Sequence, residues 1–170
     1  IKKVEELESK YHAYQYYLDA VKRDGVPYEL ITKALPTIEG EVNNILSQLV
    51  DFQILFEMDG KNINNYIVYD DDNVWPLELS SGMERFISSL AIRVGLINVS
   101  NLPRSNFLAI DEGWGTMDSD NLNSVYSLFQ YLKSQFQFAL IVSHIDSMRD
   151  AVDTLLEVKK DGSYSNINFD

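Results

Sequence analysis

Residues 79–118 read LSSGMERFISSLAIRVGLINVSNLPRSNFLAIDEGWGTMD, and this stretch decides the fold. Met83, Phe86, Ile87, Leu90, Ala91, Val94 and Ile97 recur at helical spacing after Ser81-Gly82, which predicts a helix over 82–98. A strand over 106–110 follows, apolar from Phe107 to Ile110 and closed by Asp111-Glu112. Downstream the pattern repeats, with a helix over 119–134, a strand over 138–142 ending near Ser143-His144, and a short helix over 146–151. A strand over 154–159, the turn Asp161-Gly162 and a terminal strand over 163–169 complete the chain. Alternation of strand and helix predicts parallel βαβ units, hence an α/β fold with a parallel sheet core flanked by helices.

Upstream the pattern differs. Val4, Leu7, Tyr11, Tyr14, Leu18 and Val21 are spaced 3, 4, 3, 4, 3, the seam of a heptad repeat. Asp24-Gly25 and Pro27 stop it, so residues 1–24 read as a coiled-coil stub and 25–170 as a lobe. About three heptads make a weak coiled coil alone, so the stub reads as the end of a longer one. An amphipathic helix packed on its own domain is the alternative. Residues 28–50 read as two helices broken at Pro36. Phe52, Ile54 and Phe56 alternate with polar residues, and Asp59-Gly60 predicts an antiparallel hairpin with a return strand over 63–69. Val74–Leu79 reads as an irregular edge strand around Pro76.

The chain of 170 residues is 45% hydrophobic and carries a net charge of −12. That is enough apolar sequence for a folded core. No run of about eighteen apolar residues suggests a membrane span, and the charged start IKKVEELESKYH does not read as a secretion signal. The absence of cysteine excludes disulfides, Cys-ligated zinc and thiol catalysis, and agrees with an intracellular protein. Two histidines leave little room for a multi-His metal site. An acidic chain repels nucleic-acid phosphate, so any DNA contact needs a local basic patch or a partner.

Three groups carry chemistry. Ser81 precedes the helix and Glu84 lies three residues on, the spacing of a capping box. A helix start rich in Ser and Gly is also an anion site, where amides and a hydroxyl face phosphate. Asp111 and Glu112 end a strand, where Asp can organise Mg²⁺ through water and Glu can polarise an attacking water. A solvated strand-end turn is the plainer reading. His144 follows a second strand, and two strands of one parallel sheet end at the same edge. An ordinary surface histidine is the alternative. Asp118 fits a helix cap, with Ser119 as its rival. Arg85 and Arg93 read as exposed helix charges.

Together these residues resemble the C-terminal lobe of an ABC-type ATPase head, of the SMC and SbcC-like DNA double-strand-break repair group. The family pattern is a signature Leu-Ser-Gly-Gly-Glu/Gln, a Walker B strand ending in Asp-Glu, a D-loop Asp and a switch His. Here Ser81-Gly82-Met83-Glu84, Asp111-Glu112, Asp118 and His144 match it. Leu90-Ala-Ile-Arg93 and the run from Ser143 to Asp153 also resemble the repair ATPases, and GVPYELITKALPTIEGEVNNIL over 25–46 is similar to members of phage or viral type. The likeness is specific over 79–159 and looser over 1–78. Met83 stands for the second signature Gly, Ser80 for the signature Leu, and Gly113-Trp114 for the usual Pro-Thr. No Gly-rich loop ending in Gly-Lys-Ser/Thr is present in these residues, so one piece of a larger or split head is expected.

The resemblance implies ATP and Mg²⁺ as cofactors. Ser81, Gly82, Met83 and Glu84 would contact ATP held by an opposite head. Asp111 would hold Mg²⁺ through water, Glu112 and His144 would be catalytic, and Asp118 would line the dimer seam. Implied partners are the N-terminal lobe of the same head, a second identical head, a nuclease subunit and DNA, with no membrane. Two other readings stay open: a metal-dependent nuclease using Asp111, Glu112 and Asp118, and a structural coiled-coil module.

Overall fold

A computed structural model describes residues 2–60, 62–111 and 122–169. Its elements run α1 (Lys2–Val21), α2 (Val26–Leu46), β1 (Gln53–Asp59), β2 (Asn62–Asp70), β3 (Asn73–Pro76), a 3₁₀ turn (Leu77–Leu79), α3 (Gly82–Val99) and β4 (Phe107–Asp111). They continue with α4 (Leu122–Gln135), β5 (Phe138–Val142), a 3₁₀ segment (Asp146–Ala151), β6 (Leu156–Asp161) and β7 (Tyr164–Phe169). The α/β class is as expected. Its sheet is built in three pieces: antiparallel β1-β2-β3, parallel β4-β5 and antiparallel β6-β7.

Helix α1 buries none of its residues. All six heptad positions face solvent, from Val21 at 51% to Tyr14 at 69% exposure. A helix packed along its own domain would hide that seam, and none of the described residues covers it. Gly25 joins α1 to α2 because a Cβ there would press on the backbone carbonyl oxygens of Asp19 and Ala20.

Pro36 does not split residues 28–50. It lies inside one continuous helix, α2. Proline costs a helix interior about 3 kcal/mol, yet Leu35, Val42, Ile45 and Leu46 form a buried stripe across it. Full burial of such side chains is worth about 1.5–3 kcal/mol each, so packing outweighs the local break. The stripe meets α3, whose Met83, Ile87, Leu90, Ala91 and Val94 are buried. Gly95 lets the helices approach: a Cβ on it would lie 2.9 Å from Val42 Cγ2.

Strand β1 lies at the edge of its sheet, and α2 covers that edge with side chains. Asn43 Nδ2 donates to the Ile54 carbonyl and Asn43 Oδ1 accepts from the Ile54 amide, both at 2.8 Å. Glu39 Oε2 accepts from the Phe56 amide at 2.8 Å. A bare edge would template pairing with another chain. The Asp59-Gly60 hairpin forms as read, with Gly60 at φ 56°. The irregular strand ends at Pro76, and Leu77–Leu79 turns instead.

In β4-β5 one face packs on the core through Leu108, Ile110 and Ile141. The other face is open: Phe107, Phe138, Leu140 and Val142 keep 45–58% of their surface in solvent. The apolar run over 106–110 reads as a strand of a parallel sheet flanked by helices. The two-stranded sheet has only one face covered by described residues. Among the described residues no helix is long and apolar enough to cross a membrane.

Candidate functional site

Ser81 caps α3 as its spacing with Glu84 requires. The Ser81 hydroxyl accepts from the Glu84 amide at 3.3 Å, and Glu84 Oε2 accepts from the Ser81 amide at 2.7 Å. Ser81 is exposed. Gly82 begins the helix, and the Met83 side chain turns into the core at 7% exposure. The residue that stands where the resemblance expects a second Gly is therefore mostly buried, though it also borders the recess beside Ser81. Arg85 and Arg93 are exposed, as read.

A third group joins the cap. The Tyr69 hydroxyl donates to Glu84 Oε1 at 2.7 Å. Burial, then the bond to Glu84 and its charge, push the Tyr69 hydroxyl up to about 12. Burial alone would raise Glu84, but the Tyr69 hydroxyl and the Ser81 amide and hydroxyl outweigh it and hold the carboxyl below its usual range. The sequence reading missed Tyr69. Alternation could not have found it, because Tyr69 lies at the irregularity between Val68 and Asp70 in the β2-β3 pairing, where spacing alone does not fix the face of a side chain. The Tyr69 ring also meets Phe52 edge-on, centroids 6.1 Å apart. The pair borders an open recess of ≈ 530 Å³ lined in part by Phe52, Tyr69, Ser81, Met83 and Glu84.

The second group lies on β4-β5. Their register pairs Phe107 with Phe138 and Asp111 with Val142. Both strands thus end at one edge, Asp111 closing β4 and His144 standing two residues past Val142. Side chains alternate, so Asp111 shares the open face with Phe107 and Ala109. Past β5, the Ser143 hydroxyl accepts from the Ile145 amide at 3.1 Å and contacts Met148 Sδ at 3.2 Å. This holds the turn that presents exposed His144.

Glu112 and Asp118 lie outside the described residues. Among the described residues no three acidic or histidine side chains cluster as a metal site, and Asp111 is the described acid at the end of β4. An exposed carboxylate at a strand end is a hard oxygen donor of the kind Mg²⁺ takes alongside water. An exposed Ser-capped helix start is of the kind phosphate takes.

No protein-family model matches the chain. It is 35% identical over 182 residues to an uncharacterized protein of Acanthamoeba polyphaga mimivirus, covering 98% of this chain and 14% of that protein. It is 33% identical over 93 residues to the SbcC component of the SbcCD nuclease of Staphylococcus aureus, covering 52% of this chain and 9% of that component. The chain therefore spans a small part of the curated relatives it matches. Among solved structures, the Smc head of Pyrococcus furiosus, bound to the C-terminal domain of ScpA, superposes with TM-score 0.67 at 16% identity, over 99% of this chain and 42% of that one. An SMC ATPase structure described for ATP-driven dimerization gives 0.68 at 15% identity, over 83% and 88%. The fold is that of SMC head domains.

Proposed function

We propose, the chain being an SMC/SbcC-like head lobe, that it supplies half of each of two nucleotide sites in an ATP-driven clamp. The observation that carries this is the parallel register of β4 and β5, which brings Asp111 and His144 to one sheet edge. Such an edge is where ligands bind open α/β sheets. The capped start of α3 is a separate group, suited to a phosphate from outside the lobe.

In this reading Asp111 would hold Mg²⁺ through water, and the ion would supply charge neutralisation when bound. Glu112 orients and polarises the attacking water. His144 donates to the terminal phosphate and registers its presence. Ser81 and Gly82 offer a hydroxyl and a helix-start amide to the nucleotide of an opposite head, and Asp118 lies at the seam between heads. These residues position and stabilise charge, which is most of what phosphoryl transfer asks of a protein. The open face of Phe107, Phe138, Leu140 and Val142 takes the lobe that carries the phosphate-binding loop. Exposed apolar surface on a parallel sheet is otherwise costly. Helix α1 passes head closure to the coiled coil, and through it to DNA and a nuclease subunit.

The test is Glu112→Gln in the assembled head. Turnover should fall by more than about 10²-fold, and nucleotide-bound head dimers should accumulate. Undiminished turnover would sink the assignment, as would cleavage of DNA by the isolated chain with Mn²⁺.

A further inference from the structure

We propose that Tyr69 is a positioning residue for the Ser81 site, a latch that holds the Glu84 carboxylate while an anion takes the helix start. The inference rests on the reading of Ser81 as a nucleotide contact. Glu84 uses both carboxylate oxygens: Oε2 accepts from the Ser81 amide and Oε1 from the Tyr69 hydroxyl, each at 2.7 Å. The carboxylate is thus an internal occupant of an amide that an incoming phosphate would use. It also places a negative charge beside that phosphate. The hydroxyl half of the cap is the looser one, at 3.3 Å.

An arriving anion competes with Glu84 for the Ser81 amide. A carboxylate driven off one donor keeps its second, because Tyr69 stands on β2 and not on the helix start that the anion takes. Without that hydroxyl, Glu84 keeps only its contacts to the Ser81 amide and hydroxyl and holds those donors against the phosphate. Tyr69 thereby ties the antiparallel sheet to the readiness of the helix start. The phenol ring keeps its edge contact with Phe52, so Tyr69→Phe removes the hydroxyl and leaves the packing.

The experiment measures ATP-driven association of assembled heads in four backgrounds: wild type, Tyr69→Phe, Glu84→Gln and the double variant. Tyr69→Phe should raise the ATP concentration for half-maximal association by about tenfold, the worth of one hydrogen bond to a charged group. Glu84→Gln should lower it. In the Glu84→Gln background Tyr69→Phe should have no further effect, because no charge remains to be held. A Tyr69→Phe effect equal in both backgrounds, or none in either, overturns the latch. Ser81→Arg is the control. If it abolishes association while Tyr69→Phe is silent, the latch alone is wrong. If Ser81→Arg also leaves association intact, the nucleotide contact and the latch fall together.

Discussion

Asp111 and Val142 are register partners at the ends of two parallel strands, and that pairing sets the acid of one strand beside the turn that carries His144. The same register lines up Phe107 with Phe138, whose rings stack with centroids 5.4 Å apart on the open face. The Asp111 carboxylate and the exposed apolar surface therefore lie on one side of one small sheet. The lobe proposed to cover the apolar rows would also reach the acid.

Leu140 stands in those rows with 45% of its surface exposed. Leu140→Ser should cost the chain under about 1 kcal/mol in urea unfolding, as a surface change does. It should weaken recovery of the head when a lobe with the phosphate-binding loop is added. Unchanged recovery would count against the covering lobe.

Asn43 satisfies the outward amide and carbonyl of Ile54 at once. Asn43→Ala should leave both unpaired in a part-buried place, at about 1–3 kcal/mol for each group. A lower urea midpoint with an unchanged slope is expected. An added gain in thioflavin-positive aggregation would mark the uncovered β1 edge.

Gly95 and Gly40 should respond in opposite senses. Gly95→Val drives side-chain atoms into buried, β-branched Val42 and should cost about 1–3 kcal/mol. Gly40 lies inside α2, and a Cβ added to it would meet no atom within 4 Å, so Gly40→Ala should gain about 0.5–1 kcal/mol from helix propensity. Thermal melts of the two variants check both signs.

Tyr69 predicts an alkaline limit. Its hydroxyl is raised to about 12 in the folded chain, above the value of about 10 for an unfolded tyrosine. The stability it contributes is complete below about pH 10 and lost as pH rises through about 12. Glu84 is lowered, so its contribution is present above the unfolded carboxyl range and lost as pH falls through its folded value. Stability of Tyr69→Phe should fall less steeply than wild type on the alkaline side, and Glu84→Gln less steeply on the acid side. Parallel profiles for all three would contradict the bond.

Much of this was legible in sequence because the patterns were long or strict. The strand over 138–142 and the short helix over 146–151 formed where the residues placed them, and helix 82–98 gained a single residue, Val99. The capping box of Ser81 and Glu84 followed from spacing alone. Pro36 misled, since its local penalty is visible in sequence while the stripe that overrides it is set by α3. Tyr69 was invisible as a partner of Glu84 because the bond joins a strand to a helix fifteen residues on. The open face of β4-β5 was not legible for a related reason: an apolar run shows that a strand wants cover, not where the cover comes from.

The most direct measurement is ATP turnover by mixed heads carrying Ser81→Arg and Glu112→Gln. If Ser81 serves the opposite nucleotide and Glu112 its own, placing the changes on opposite heads spoils one site twice and spares the other. Turnover should then persist at about half the wild-type rate. Placing both changes on one head spoils both sites, and turnover should vanish. The reverse pattern, with activity retained when both changes share a head and lost when they are divided, would contradict a lobe that serves two nucleotides at once.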